Sequence, residues 1–347
     1  MLWIAFRAAP AIFLSCATTF GAEYSLSPVT MYHGATDGSA AVGVGDSYFM
    51  GATDENNILR LYSATDGVKS KSILSLDFGF PPNKKGKLRE YDLEGATRIG
   101  NFIYWIGSHG RDGDGEMREE RQVLFAAKVI GTGESATLEL VNDQPYKGLL
   151  KDLQGDNTLS DLKLSDAIGE KKTDPTKAPK RLGALNIESL CADRNQLLIG
   201  FRNPAIRNHA LIIPMLNPEA VVRGKEPAKF GRPILLDLGG LGIRDMAQWG
   251  DEFLIIAGDY KDRFDPDAKP SRLFRWKGGD QDQPVDLNVD FGNLNPESIA
   301  IFGEGADARV LLLSDDGEMA VDGKSNKENP ESEQFFRGVW LTFQASK

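Results

Sequence analysis

The sequence predicts an all-β fold, a β-propeller, on three observations. One block recurs along the chain, strand-like runs flank every copy, and the copies are spaced like propeller blades. The clearest copy is EGATRIGNFIYWIGSHGR, from Glu94. It recurs as ESLCADRNQLLIGFRNP at Glu188, as RDMAQWGDEFLIIAGDY around Asp245, and as PESIAIF…RVLLLSDDG from Glu297. DGSAAVGVGDSYFMGATDE, from Asp37, is a looser copy. Each copy has an acid, a short strand of small and apolar residues, a turn rich in Gly, Asn or Asp, a strongly apolar strand, and a polar cluster.

A third strand follows each cluster: NILRLYS, QVLFAAKVI, HALIIPML, SRLFRWK and GVWLTFQ. A fourth precedes the next acid: SILSLDF, ATLELV, PILLDLG and VDLNVDF. Successive acids lie roughly 50 to 57 residues apart, the period of a four-stranded blade, with one gap nearly double. The long gap predicts a five-bladed propeller with an insertion at about 148–183. Within it, Leu159, Leu162 and Asp166 are spaced like a short helix, and KKTDPTKAPK reads as an exposed loop. A degenerate sixth blade is the alternative. No fourth strand follows GVWLTFQ, so the N-terminal YSLSPVTMYHG is expected to complete the last blade and close the ring. Closure removes the exposed edges of an open sheet.

Composition agrees with a globular protein. Hydrophobic content is 41% and charged content 26% over 347 residues, enough for one large all-β domain spanning 23–347. The net charge of −10 argues against a nucleic-acid partner and leaves room for cations. MLWIAFRAAPAIFLSCATTFGA, residues 1–22, reads as a secretory signal peptide, with Arg7 its one charge. A secreted or periplasmic protein is expected. A lipid anchor at Cys16 is less favoured, because Phe13 stands where such a cleavage box takes Leu. No later run is apolar for long enough to be transmembrane. Removing the leader leaves Cys191 as the one cysteine, in the apolar ESLCAD, so no intramolecular disulfide forms. It reads as a small buried hydrophobe.

In a blade, the innermost strand starts on the face to which the second strand returns. Acid and cluster therefore meet: Glu94 with His109, Glu188 with Arg202 and Asn203, Asp245 with Asp259 and Tyr260, Glu297 with Asp315 and Asp316, and Asp37 with Asp54 and Glu55. Five-fold repetition gathers them round one mouth. Two like charges about 4 Å apart repel by ~1 kcal/mol in water and ~4 kcal/mol at an effective dielectric of 20, so something must compensate. Arg98, Arg111, Arg202, Arg244 and Lys261 are candidates. A divalent cation, calcium or magnesium, on Glu94, Glu188, Asp245 and Glu297 is another. For any single acid, capping a turn or the next blade's backbone is the alternative. The RDGDGE run has Met117 where a calcium loop needs Gly, so Asp112, Asp114 and Glu116 read as a solvated loop.

Nucleophile-elbow, H-E-x-x-H and Walker motifs are absent. Of the histidines His33, His109 and His209, His109 alone sits in a cluster. It is the candidate acid or base beside Glu188, and an acidic mouth is expected to favour its protonated form; a structural histidine is the alternative. Arg111, Arg202, Asn203, Asp259 and Asp315 are candidates for binding a small anionic ligand or a protein partner. Arg111 and Arg202 have salt-bridging of the acids as their other role.

The blocks DGSAAV…ATDENNILRLY, DLEGATRIGNFIYWIGSHGR, LNIESLCAD…LLIGFRNP, PILLDLGGLGIRDM and LNPESIAIF…LLSDDG resemble a bacterial domain-of-unknown-function family, DUF3616, from about Asp37 to Trp340. A looser resemblance links the blade starts to esterase-like and phytase-associated propellers and to calcium-centred propeller lactonases. That resemblance implies a metal-assisted ester or phosphoester hydrolase, with a non-catalytic ligand- or protein-binding propeller as the alternative.

Overall fold

The structure is a computed structural model and describes residues 24–67, 70–261, 263–279 and 281–343. The leader read in residues 1–22, Cys16 included, lies outside them. Strands β1 (Tyr24–Leu26) and β2 (Thr30–His33) open the described chain. Blade one holds β3 (Ala40–Val44), β4 (Tyr48–Ala52), β5 (Ile58–Ser63) and β6 (Lys71–Ser75). Blade two holds β7 (Leu93–Ile99), β8 (Phe102–Gly107), β9 (Leu124–Ile130) and β10 (Thr137–Leu140). Blade three holds β11 (Asn186–Asp193), β12 (Gln196–Ile206), β13 (His209–Met215) and β14 (Ile234–Leu236). Blade four holds β15 (Gly242–Trp249), β16 (Glu252–Gly258), β17 (Arg272–Trp276) and β18 (Val285–Asp286). Blade five holds β19 (Pro296–Phe302), β20 (Arg309–Ser314) and, after the small hairpin β21 (Ala320–Val321) and β22 (Lys324–Ser325), β23 (Phe335–Phe343). The propeller has five blades. β1 and β2 both pair antiparallel with β23, Tyr24 opposite Phe343 and Thr30 opposite Gly338, so the N-terminal strands complete the last blade as the sequence predicts.

The second strands are apolar throughout because both of their faces are buried. In β8, Ile103 and Trp105 pack towards blade one, while Tyr104 and Ile106 pack towards blade three. Such inter-blade cores recur between blades three and four, four and five, and five and one, which closes the ring. The innermost strands approach backbone to backbone. A Cβ on Gly43 would lie 2.0 Å from the carbonyl oxygen of Ile301, and one on Gly95 would lie 2.7 Å from the amide nitrogen of Leu190. Only a residue without a side chain fits either place. Cys191 is fully buried, and burial pushes its thiol well above its ordinary value.

Between blades two and three lie α1 (Leu149–Gly155) and α2 (Leu164–Ile168). The helix expected across Leu159–Asp166 is split. Residues Asn157–Leu162 form a 3-10 turn, and α2 begins after Lys163, whose φ of 52° breaks the run. Leu149, Leu153, Leu159 and Leu164 anchor this segment in the core shared by blades two and three. A third short helix, α3 (Pro218–Val222), covers the same core. No helix among the described residues is long and apolar enough to cross a membrane.

Candidate functional site

Four of the five first strands carry a β-bulge at their start. In blade two, Leu93 pairs with Gly107 and Gly95 with Ile106, leaving Glu94 as the extra residue. The same shift singles out Glu188 in blade three, Arg244 in blade four and Glu297 in blade five. A bulge re-aims the side chain of the extra residue. Here all four line one cavity of about 660 Å³ at the mouth of the channel. The repeat alignment placed Asp245 at this position. The register corrects it to Arg244, and Asp245 matches Gly95, Ser189 and Ser298 instead. Sequence similarity misled because RDM offers an acid one residue beyond the bulge.

Asp245 works inside the ring. Its carboxylate accepts the backbone N–H of Met246 at 2.8 Å, that of Ile299 in blade five at 2.8 Å, and the Ser189 hydroxyl of blade three at 3.3 Å. It joins three blades and does not line the cavity. Asp37 is likewise occupied, accepting from the hydroxyls of Ser39, Thr53 and Thr36 at 2.7, 2.7 and 2.9 Å.

Blades three to five neutralise their own acids. Arg244 lies between its neighbours, donating to Glu297 through Nη2 and placing Nε 3.4 Å from Glu188 Oε2. Glu188 Oε1 also accepts from Arg202 Nη1 and Asn186 Nδ2, each at 2.7 Å. Burial works against the charge on Arg244, and the summed pull of Glu188, Glu297, Asp315 and Glu94 outweighs it, so the guanidinium stays charged. Three atoms of this group are buried without a hydrogen-bond partner: Glu188 Oε2, Arg244 Nε and Glu297 Oε2. Burial raises the Glu297 carboxyl well above the carboxylate range, although Arg244 pulls the other way.

Blades one and two neutralise theirs only in part, with Arg121 set beside three acids. Carboxylate oxygens of Asp54, Asp92 and Glu94 lie within 4.8 Å of one another. Asp92, in the left-handed region at φ 54°, is held by Arg121 Nη1 at 2.9 Å. Glu94 is 9% exposed, and neither it nor Asp54 has a hydrogen bond or ion pair among the described residues. Burial raises Glu94 well above its ordinary value, and Glu188 and Asp92 add to it. Asp54 is raised well too, by burial and then by Asp37 and Glu55. The three carboxylates are hard oxygen donors close enough together to share one ion.

The remaining predicted residues have other places. His109 and Arg111 line a small separate cavity under the insertion. His109 Nδ1 contacts the Gly107 carbonyl at 2.9 Å, and Nε2 is buried without a partner. The expectation of a protonated His109 is reversed: burial lowers its pKa to about 4. Arg111 pins the insertion, donating to the carbonyls of Gly115, Ile168, Gly169, Lys171 and Lys172. Asn203 holds its other end through the carbonyls of Pro179 and Arg181, at 3.2 and 2.6 Å. Asp259 accepts the backbone N–H groups of Lys261 and Lys269 and stays off the cavity wall. Asp315 is on the wall, bound to Asn295 Nδ2 at 3.0 Å.

Sequence reasoning missed Arg121 and the positions two before each bulge. Those positions read N-x-E in blades three and five, D-x-E in blade two and G-x-R in blade four. That pattern was visible and tells which blade is overcharged. The opposite end of the channel is a second cavity of about 620 Å³, walled by residues such as Gly43, Ala96, Ala192 and Ile301. The chemistry is concentrated at the acid end.

Residues 119–319 match the family described as "Protein of unknown function (DUF3616)". No curated protein matches the chain. Among solved structures, glutaminyl cyclase from Myxococcus xanthus is similar at 10% identity and TM-score 0.43, over 93% of this chain and 97% of that one. An exo-β-1,3-galactanase from Phanerochaete chrysosporium is similar at 10% and 0.43, over 89% of this chain and 59% of that one. The GH43 endo-arabinanase from Bacillus licheniformis is similar at 9% and 0.40, over 92% and 95%. At these values no activity passes from those proteins to this chain.

Proposed function

The chain belongs to the DUF3616 family, whose description carries no activity, and from its own residues we propose that it is a cation-dependent ester or phosphoester hydrolase with its site at the propeller mouth. The observation that supports this is Glu94: buried, unpaired among the described residues, and grouped with Asp54 and Asp92. These three would hold calcium or magnesium. A cation there would polarise an ester or phosphoryl oxygen and acidify a bound water. Glu297 takes the proton-transfer role first assigned to His109. Glu297 lines the cavity, its Oε2 accepts no hydrogen bond, and burial raises its carboxyl well above its ordinary value, the direction a proton donor needs. Arg202 and Arg244 hold Glu188 and Glu297 in place. We place the protein outside the cytoplasm on the leader-like residues 1–22.

A second reading, a propeller that binds a ligand or protein without turnover, is favoured by one observation. The Arg202 guanidinium is already committed to Glu188 and to the carbonyls of Asp259 and Lys261, so it is not an open anion fork. A panel of p-nitrophenyl esters and phosphoesters, assayed with calcium, magnesium and manganese, separates the two. Turnover should need the cation, vanish in Asp54→Asn together with cation binding, and vanish in Glu297→Gln with cation binding intact. Cation binding without turnover on any substrate would leave the binding reading.

A further inference from the structure

The mouth is graded in charge from floor to rim. The floor is acidic, with Glu94, Glu188 and Glu297 buried. The rim holds more cations than anions, with Asp265, Asp315 and Glu318 also lining it, in a chain whose net charge is −10. Arg181 comes from the end of the insertion, Lys261 and Arg263 from the loop after β16, and Lys327 from the loop after β22, and all four line the same cavity.

These cations are positioned but not gathered. Asn203 fixes the backbone at Arg181. Arg263 Nη1 donates to the Asp315 carbonyl at 3.3 Å, Lys327 pairs with Glu318, and Lys261 Nζ lies 3.7 Å from Asp265. Asp265 and Glu318, which answer Lys261 and Lys327, line the cavity as well, so the positive charge left over is that of the Arg181 and Arg263 guanidinium groups, set apart on two loops. A single phosphate dianion would call for converging donors. Several singly charged groups, spaced along an extended molecule, match separated cations.

Phe264 adds a second requirement. It lines the cavity at 63% exposure, with the Arg263 guanidinium 4.6 Å from its ring centre. An exposed aromatic ring with a guanidinium over it suits a ligand ring that carries an anionic substituent. A cavity of about 660 Å³ admits more than one such ring.

We infer that the ligand of this mouth is an acidic oligosaccharide: a short chain of sugar rings bearing carboxylates, one ring lying on Phe264 and its carboxylates shared among the rim cations. This deepens the proposed function, resting on it only for the floor, where the bound cation would meet a further carboxylate.

The test is calorimetric titration of the mature protein with trigalacturonate, with neutral maltotriose and with inositol hexakisphosphate, each in EDTA and in calcium. Trigalacturonate should bind and maltotriose should not. Arg263→Ala and Phe264→Ala, both at exposed positions, should each weaken binding by about tenfold without moving the thermal midpoint. Equal binding of maltotriose, tighter binding of inositol hexakisphosphate, no binding of trigalacturonate, or indifference to both substitutions would overturn the inference. If the rim variants weaken binding but calcium changes nothing, the acidic-oligosaccharide ligand stands and the cation-dependent hydrolase falls.

Discussion

Between blades three and five, Arg244 fills the space between two bulged glutamates and answers both. Between blades one and two, Glu94 occupies the same bulge and faces Asp54 and Asp92, with no guanidinium on its own carboxylate. One backbone device thus supports two electrostatic states. The difference comes from two residue choices: Arg in place of Glu in blade four, and Asp in place of Asn two residues before Glu94. The first half carries its own counter-charge. In the second, Arg121 answers Asp92 and no side chain among the described residues pairs with Glu94.

Removing the built-in cation should erase the contrast, with the largest effect on stability. Arg244→Met leaves Glu188 and Glu297 facing each other across a buried gap, and breaking such a pair costs about 3–5 kcal/mol. Urea unfolding of the purified variant measures it. A loss well under 1 kcal/mol would mean that the two glutamates are neutralised by something other than Arg244.

Titration with pH sharpens the same contrast, because groups of opposite sign are involved. The raised carboxyls of Asp54, Glu94 and Glu297 hold protons more tightly folded than unfolded. Their contribution is fully present below the unfolded carboxylate pKa of about 4 and is lost as pH rises through the folded values. His109 behaves in the reverse sense: its folded pKa is about 4 against about 6.5 unfolded. Its neutral form contributes stability above pH ~6.5 that is lost as pH falls towards 4. His109→Gln should therefore remove up to about 3 kcal/mol of acid sensitivity in that window and leave any turnover unchanged. An unchanged acid limb in stability curves between pH 4 and 7 would show that His109 is not held neutral.

A smaller effect is expected at Asp245, directly beside Arg244 in sequence. Asp245→Asn puts an amide donor against a backbone N–H it now accepts, which should cost about 1–3 kcal/mol while leaving cation binding alone. Loss of cation binding in that variant would place Asp245 in the site and break the division between the two halves.

Much of the fold was legible because a propeller repeats itself. Five copies of a strand pattern, in order, identify blades even where single strands are ambiguous, and the unmatched last strand foretold closure by YSLSPVTMYHG. The face on which the acids gather was legible too. Which acids reach the cavity was not. That depends on a one-residue bulge, and a slip of one residue sends a side chain elsewhere. Asp245 and Arg244 are adjacent, and only the hydrogen-bond register tells them apart. His109 and Arg111 follow an apolar strand as Arg202 does, yet the insertion covers them and turns Arg111 into a clamp on Ile168–Lys172. Nothing local in the sequence announces that cover.

The central claim is that Glu94, in the blade one and two half, lacks the paired cation that Arg244 supplies to the glutamates of the other half. The most direct measurement is the thermal midpoint of the mature protein and of Glu94→Gln, each in EDTA and in a calcium series. The wild type should rise saturably, with stabilisation of about 2.7 kcal/mol at a hundredfold excess over the dissociation constant. Glu94→Gln should melt no lower than wild type in EDTA, because burial and the neighbouring acids already disfavour the charged carboxylate it replaces, and should not respond to calcium. A wild-type midpoint indifferent to calcium and magnesium, or a calcium response that survives in Glu94→Gln, would contradict the claim.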